Sequence, residues 1–148
     1  MIVLWSFFIG QIKHEHRTMA IKDLKALLVN LQPILDEHDY VFCTAVAVPD
    51  GLNPLATFRE GEGISLICQK EEAEASGLAY EGIFRKITLS VYSSLEAVGL
   101  IAAVSTALTK ANISANVVAA YHHDHVFVPA DKAAEAMGVL KGLGNKSA

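Results

Sequence analysis

The sequence predicts an α+β fold in which an antiparallel sheet carries helices on one face and the whole arrangement is repeated once. Three observations predict it. Several segments repeat apolar residues at helical spacing, while shorter runs rich in β-branched and aromatic residues lie between them. The elements of the first half follow the order helix, strand, hairpin, helix, and those of the second half the order β-α-β-β-α. No Ser/Pro-rich linker or composition break divides the halves, so they form one unit with shared or abutting sheets.

Taken in order, Ile21, Leu24, Leu27, Leu28 and Leu31 recur at helical spacing from Ala20 to about Leu35, with Lys22, Asp23, Lys25 and Asn30 on the other side. Pro33 and the polar "DEHD" are expected to close this helix. "YVFCTAVAV" then reads as a strand, "PDGLNP" as a loop, and "LATFRE", "GEG" and "ISLICQK" as a hairpin. "EEAEASGL" has the composition of a short helix, with Gly77 as its stop.

The second half opens on "KITLSVY", where Ile87, Leu89 and Val91 alternate with Thr88 and Ser90 as a strand buried on one face requires. Ser93 and Glu96 have the S-x-x-E spacing of a capping box, which predicts a helix from Ser93. Its interior, Ala97 to Leu108, is almost wholly apolar and should pack on the sheet. "ANVVAAY" and "HVFVP" are the next strands, and "ADKAAEAMGVLKGLG" is a last helix expected to end at glycine. The domain organisation that follows is an upstream extension over residues 1–18, units over 19–82 and 83–143, and a tail over 144–148. Met19, directly before an amphipathic helix, marks the expected natural start; an extra edge strand from "IVLWSFF" is the alternative.

Composition narrows the function. Of 148 residues 52% are hydrophobic and 19% charged, and the formal net charge is -4, a soluble pattern without the basic excess of a nucleic-acid binder. The opening apolar run is far shorter than the roughly 20 residues that cross a bilayer, and it has neither a cationic start nor a cleavage site. Cys43 and Cys68 lie in apolar runs without CxxC spacing, so they read as core thiols of a cytoplasmic protein. No glycine-rich phosphate loop, G-x-S-x-G elbow or nucleophile–base pair appears, and neither an enzyme nor a cofactor is expected.

The stretch "ITLSVYSSLEAVGLIAAVSTALTKANISANVVAAYHHDHVFV" resembles the ACT domain: a strand, a loop opening a helix, the "ISAN" joint, and a hairpin. With "YVFCTAVAV" and "PLATFREGEGISL", residues 20–143 resemble a small protein of two tandem ACT-like units, of a family without assigned function. The resemblance implies a ferredoxin-like fold, homo-oligomerisation and binding of an amino acid or similar small effector, with no reaction implied. ACT domains commonly place a glycine in the loop before the helix, where this chain has Ser93 and Ser94.

Three clusters are candidates for that role. In "YHHDHVFVP" strand alternation sets His123 and His125 on one face and His122 with Asp124 on the other. An H-x-H pair chelates, yet a zinc site wants three or four ligands, so a solvated turn or a ligand rim is the first expectation and metal binding a weaker one. Ser93, Ser94 and Glu96 stand at an expected helix start, which attracts a carboxylate but equally explains itself as a cap. "NPLATFREGEG" offers Asn53, Thr57, Arg59, Glu60 and Glu62; Arg59 could grip a carboxylate while Glu60 or Glu62 meets an ammonium, although such groups more often form a solvated ion-pair surface. The expected function is a non-enzymatic regulatory protein for a small effector. The alternatives are a ligand-free association module and a metal-binding protein using His123 and His125.

Overall fold

The computed structural model describes residues 23–91, 93 and 96–146. Helix α1 (Leu24–Val29) leads into strand β1 (Gln32–Ala45), followed by β2 (Ala56–Arg59), β3 (Ile64–Gln69) and α2 (Lys70–Ala75). The second half contains β4 (Phe84–Ser90), α3 (Leu100–Lys110), β5 (Asn116–Ala119), β6 (Asp124–Pro129), a 3-10 turn (Ala130–Lys132) and α4 (Ala133–Lys146). The strands make one six-stranded sheet in the order β2-β3-β1-β4-β6-β5, antiparallel at each step.

Strand β1, 14 residues long, belongs to both halves. Its second part, Tyr40 to Ala45, pairs with β3, and its first part, from Gln32 opposite Ser90 to Leu35 opposite Ile87, pairs with β4. Between Leu35 and Asp39 the register slips, which makes "DEHD" a bulge inside the strand instead of a loop before it. Gln32 to Leu35, expected to finish the first helix, are strand because Pro33 has no N–H to give a helix interior and sits opposite Leu89 in the sheet. Asn30 caps the much shorter α1, and the Asp23 carboxylate accepts from Ala26 N–H at its start. The expected start at Ala20 lies outside the described residues. Val46 to Val48, expected as strand, lie beyond β1, and Val46 is exposed.

The bulge is held by charge. The Asp36 carboxylate accepts from His38 N–H at 3.0 Å and from Tyr40 Oη at 3.2 Å, and pairs with Lys86 Nζ at 2.9 Å. Arg85 Nε donates to the Asp36 carbonyl at 3.1 Å. Burial opposes ionisation of Asp36, but the His38 N–H and the Lys86 ammonium outweigh it and hold the carboxyl well below its usual range. The same burial and the nearby Asp36 charge push the Tyr40 phenol up to about 12.

All four described helices cover one face. Leu27, Leu100, Val104, Leu108, Ala136 and Leu140 pack on Ile87, Leu89, Val126 and Val128, while Ala73 of α2 packs on Val41, Cys43, Leu66 and Cys68. The second face is aromatic. Tyr40 and Phe42 meet Phe127 edge to face, and Phe42 meets Phe84 likewise, with Ile67 and Val118 beside them. Among the described residues no helix joins this cluster.

Two helix boundaries differ from expectation. α3 starts at Leu100, not Ser93, because Gly99 adopts φ 100 as its N-cap, where a Cβ would lie 3.0 Å from Leu24 Cδ2. α4 runs through Gly142 and Gly144 to Lys146 instead of ending at glycine, and a Cβ on Gly144 would lie 3.1 Å from the Leu28 carbonyl, so helix and α1 touch by backbone.

Asp36→Asn is expected to lower stability by about 2 kcal/mol, since charged hydrogen bonds are lost. The pH dependence has a definite sign: the folded carboxyl is depressed below its ordinary 3.8, so its stabilisation is present above that value and is lost as pH falls beneath it. Urea denaturation of both proteins at neutral pH and near pH 3 checks this, the gap between them narrowing in acid.

Candidate functional site

Strand alternation on β4 and β6 builds a polar track on the second face. Thr88 stands opposite His125 and Lys86 opposite Phe127, so Lys86, Thr88 and His125 share the face that holds the aromatic cluster. His125 Nδ1 lies 3.0 Å from Thr88 Oγ1. Burial lowers the His125 pKa, and the Lys86 and His123 charges add to it, which favours the neutral imidazole. Asp124, between the two histidines, stands opposite Leu89; burial raises its pKa against the opposing charge of His123.

The hairpin joining β5 to β6 closes where Ala120 N–H donates to the His123 carbonyl at 3.3 Å. Its tip is Tyr121 and His122, whose rings meet edge to face at 4.9 Å, with Tyr121 exposed. Two of the expected groups come together just beyond β4. The Val91 carbonyl accepts from Ser93 N–H at 2.9 Å and lies 3.4 Å from His123 Nδ1. Ser93 is half-buried and Glu96 exposed in the connection to α3, while Ser94 lies outside the described residues. Ser93 is not the cap of α3: it sits six residues before Gly99, and no side chain caps the helix there. A glycine does precede the helix as its N-cap, Gly99.

The third cluster stands apart. Thr57, Arg59, Glu60 and Glu62 are exposed on edge strand β2 and its turn. Glu60 N–H donates to the Gly63 carbonyl at 2.8 Å, and the Ser65 hydroxyl donates to the Glu60 carboxylate. Gly63 is required in this turn: its φ is 150, and a Cβ would lie 2.9 Å from the Ala45 carbonyl. Arg59 pairs with Ile64, which pairs with Ala45 at one end of β1, whereas Ser90 and His123 belong with Gln32 at the other end. Thirteen residue steps of strand separate them, about 40 Å. One zwitterion cannot touch both within a single chain.

Asp36, Lys86, Thr88 and the Val91 carbonyl were not singled out by sequence. Alternation in "KITLS" does set Lys86 and Thr88 on one face, but nothing local pairs that face with His125 or with the bulge. Cys43 and Cys68 are free and buried core thiols, and burial pushes Cys68 up to about 11.

The fold and this arrangement define a class: two small α+β units fused through one shared sheet, with helices on one side and polar groups gathered at strand ends. Residues 19–85 match one ACT domain model and residues 82–142 a second, and the chain belongs to the ACT-domain family. A Vibrio cholerae protein of unknown function, solved by crystallography, is 45% identical over 83% of this chain and 97% of its own, with a TM-score of 0.75. An Agrobacterium tumefaciens protein shares the fold at 16% identity, with 77% of this chain and 89% of that one covered and a TM-score of 0.65. The ligand-free regulatory subunit of aspartate kinase from Thermus thermophilus does so at 12% identity, over 78% and 97%, with a TM-score of 0.60. No curated protein matches the sequence.

Thr88→Val keeps the strand-forming shape but removes the hydroxyl at His125. Its expected cost is about 1 kcal/mol in chemical denaturation, accompanied by a changed His125 tautomer balance in nitrogen-15 spectra. An unchanged His125 signal would count against the 3.0 Å contact.

Proposed function

We propose that this protein is a non-enzymatic, cytoplasmic regulatory protein that binds a small effector, an amino acid or a close relative of one, through its second ACT unit. The observation that carries the reading is the convergence of Ser93 and His123 on the Val91 carbonyl, in the connection that leads into α3 by way of Gly99. The start of α3 lies beyond Gly99, six residues after Ser93, and adds its dipole and N–H groups only for an effector carboxylate that also reaches it. That contact is worth only about 0.3 to 1 kcal/mol, against about 4 kcal/mol for millimolar binding, so side chains must supply the rest. Ser93, Ser94, Glu96, His123 and His125 are the groups proposed to do so. Membership of the ACT family supports this reading, as does the likeness of fold to a regulatory subunit of aspartate kinase. Thr57, Arg59, Glu60 and Glu62 can join such a site only if a second copy brings its hairpin across.

A screen of amino acids and nucleotides at millimolar concentration, read by thermal shift, is the test. An effector at ten times its dissociation constant stabilises the fold by about 1.4 kcal/mol. The shift is expected to disappear in Ser93→Ala combined with His123→Ala and to survive in Arg59→Ala. No shift with any compound would end the effector reading.

Ile34 on β1 and Phe58 on β2, both exposed, favour a second reading: association of copies without a ligand. It predicts melting temperatures that rise with protein concentration and ignore metabolites. Sedimentation and melting over a hundredfold dilution distinguish the two.

A further inference from the structure

We propose that Cys43 and Cys68 form a redox-active dithiol, a site at which a hydroperoxide joins β1 to β3 through an intramolecular disulfide. The inference does not rest on the effector reading. Cys43 stands opposite Leu66 and Cys68 opposite Val41, so the two cysteines are diagonal neighbours on adjacent strands. Both are free, and both belong to the cluster under α2, which sets their side chains on one face of the sheet. The two thiols share a hydrogen bond, sulfur against sulfur. That contact separates the pair from two cysteines that merely fill a core.

Access decides the order of events. Cys68 is fully buried, whereas Cys43 is 7% exposed, so peroxide reaches Cys43 first. The Cys43 sulfur attacks one peroxide oxygen, the O–O bond breaks, and a sulfenic acid forms while the other oxygen leaves as water with the thiol proton. The Cys68 sulfur then attacks the Cys43 sulfur; the S–O bond breaks, and hydroxide departs with the Cys68 proton as a second water. Two thiols are thus oxidised to one disulfide as one peroxide is reduced to two waters. Burial raises both thiols above their ordinary range and keeps thiolate scarce, which makes the first step slow in the closed fold. The cover is thin, however: α2 has six residues, and Leu78 and Tyr80 from the connection after it complete the layer. Diagonal neighbours stand farther apart than opposed ones, so closing the bond draws the strands together and leaves it open to reduction by a small thiol. Among the described residues no group of three or more His, Cys, Asp or Glu side chains could hold a metal ion.

The experiment exposes folded full-length protein to hydrogen peroxide, titrates the remaining thiols after quenching in denaturant, and maps tryptic peptides without reductant. Cleavage at Arg59 separates the two cysteines, so a disulfide holds two peptides together. Both thiols are expected to disappear together from a single chain, with the mass falling by two hydrogens, and to return with dithiothreitol. In Cys43→Ser and Cys43→Ala the Cys68 thiol should outlast the wild-type pair under the same exposure, and circular dichroism of each variant confirms folding. The proposal is overturned by a cross-link between chains, by sulfinic acid at Cys43 beside an intact Cys68 thiol, or by thiol loss that occurs only in denaturant. Oxidation of Cys68 at the wild-type rate in both Cys43 variants would overturn it equally.

Discussion

The structure depends on one strand serving two units. β1 is long enough to pair with β3 at one end and β4 at the other, and the bulge between these stretches lets each half keep its own register. A bulge leaves backbone groups without ladder partners, and such groups are costly where water is scarce. Here Arg85 takes the Asp36 carbonyl, and the Asp36 carboxylate gathers Lys86, Tyr40 and the His38 N–H. Both cations come from β4, so the contacts that satisfy the bulge also bind the first half to the second. Breaking an ion pair this well sheltered costs more than breaking one on an open surface, because it strands a partly buried charge in the seam itself.

That spine has a functional consequence. Because the halves are laid end to end along β1, the charged hairpin of the first and the histidine-bearing hairpin of the second stand at its opposite ends. Complementary charges that look adequate in the sequence to clasp one zwitterion become two separate surfaces. The more developed surface belongs to the second half, where the Val91 carbonyl ties the connection to α3 to the β5–β6 hairpin. Movement of that connection would be felt at His123, and through Thr88 the histidine strand is held to the same β4 that carries the seam. The proposed effector surface and the seam between the halves therefore share a strand.

The sheet is also two-sided in character. One face is aliphatic and covered by α1 to α4; the other combines an aromatic cluster with Lys86, Thr88 and His125. Period-two alternation produces both faces from the same residues, so a polar track can run beside an aromatic cluster without a break in the fold. No described helix is long and apolar enough to cross a membrane.

Much of this was legible in the sequence. The alternation of "KITLS", the hairpin "LATFREGEGISL" and the apolar run of α3 determined strands, turn and helix, because burial on one face imposes period two or 3.6 on the residues themselves. Two ACT-like units were readable by resemblance, from stretches such as "ITLSVYSSLEAVGLIAAVSTALTKANISANVVAAYHHDHVFV". What tertiary structure decided were the places where local signals conflict. Ser93 and Glu96 have the spacing of a cap, yet the helix waits for Gly99, whose positive φ lets it pass close to Leu24, a residue 75 positions earlier. "DEHD" has loop composition, yet it stays within a strand because Arg85 and Lys86 neutralise and hydrogen-bond it. Partners so far apart along the chain leave no periodic trace, and for the same reason only the folded sheet could separate Arg59 from Ser93 and bring His125 to Thr88.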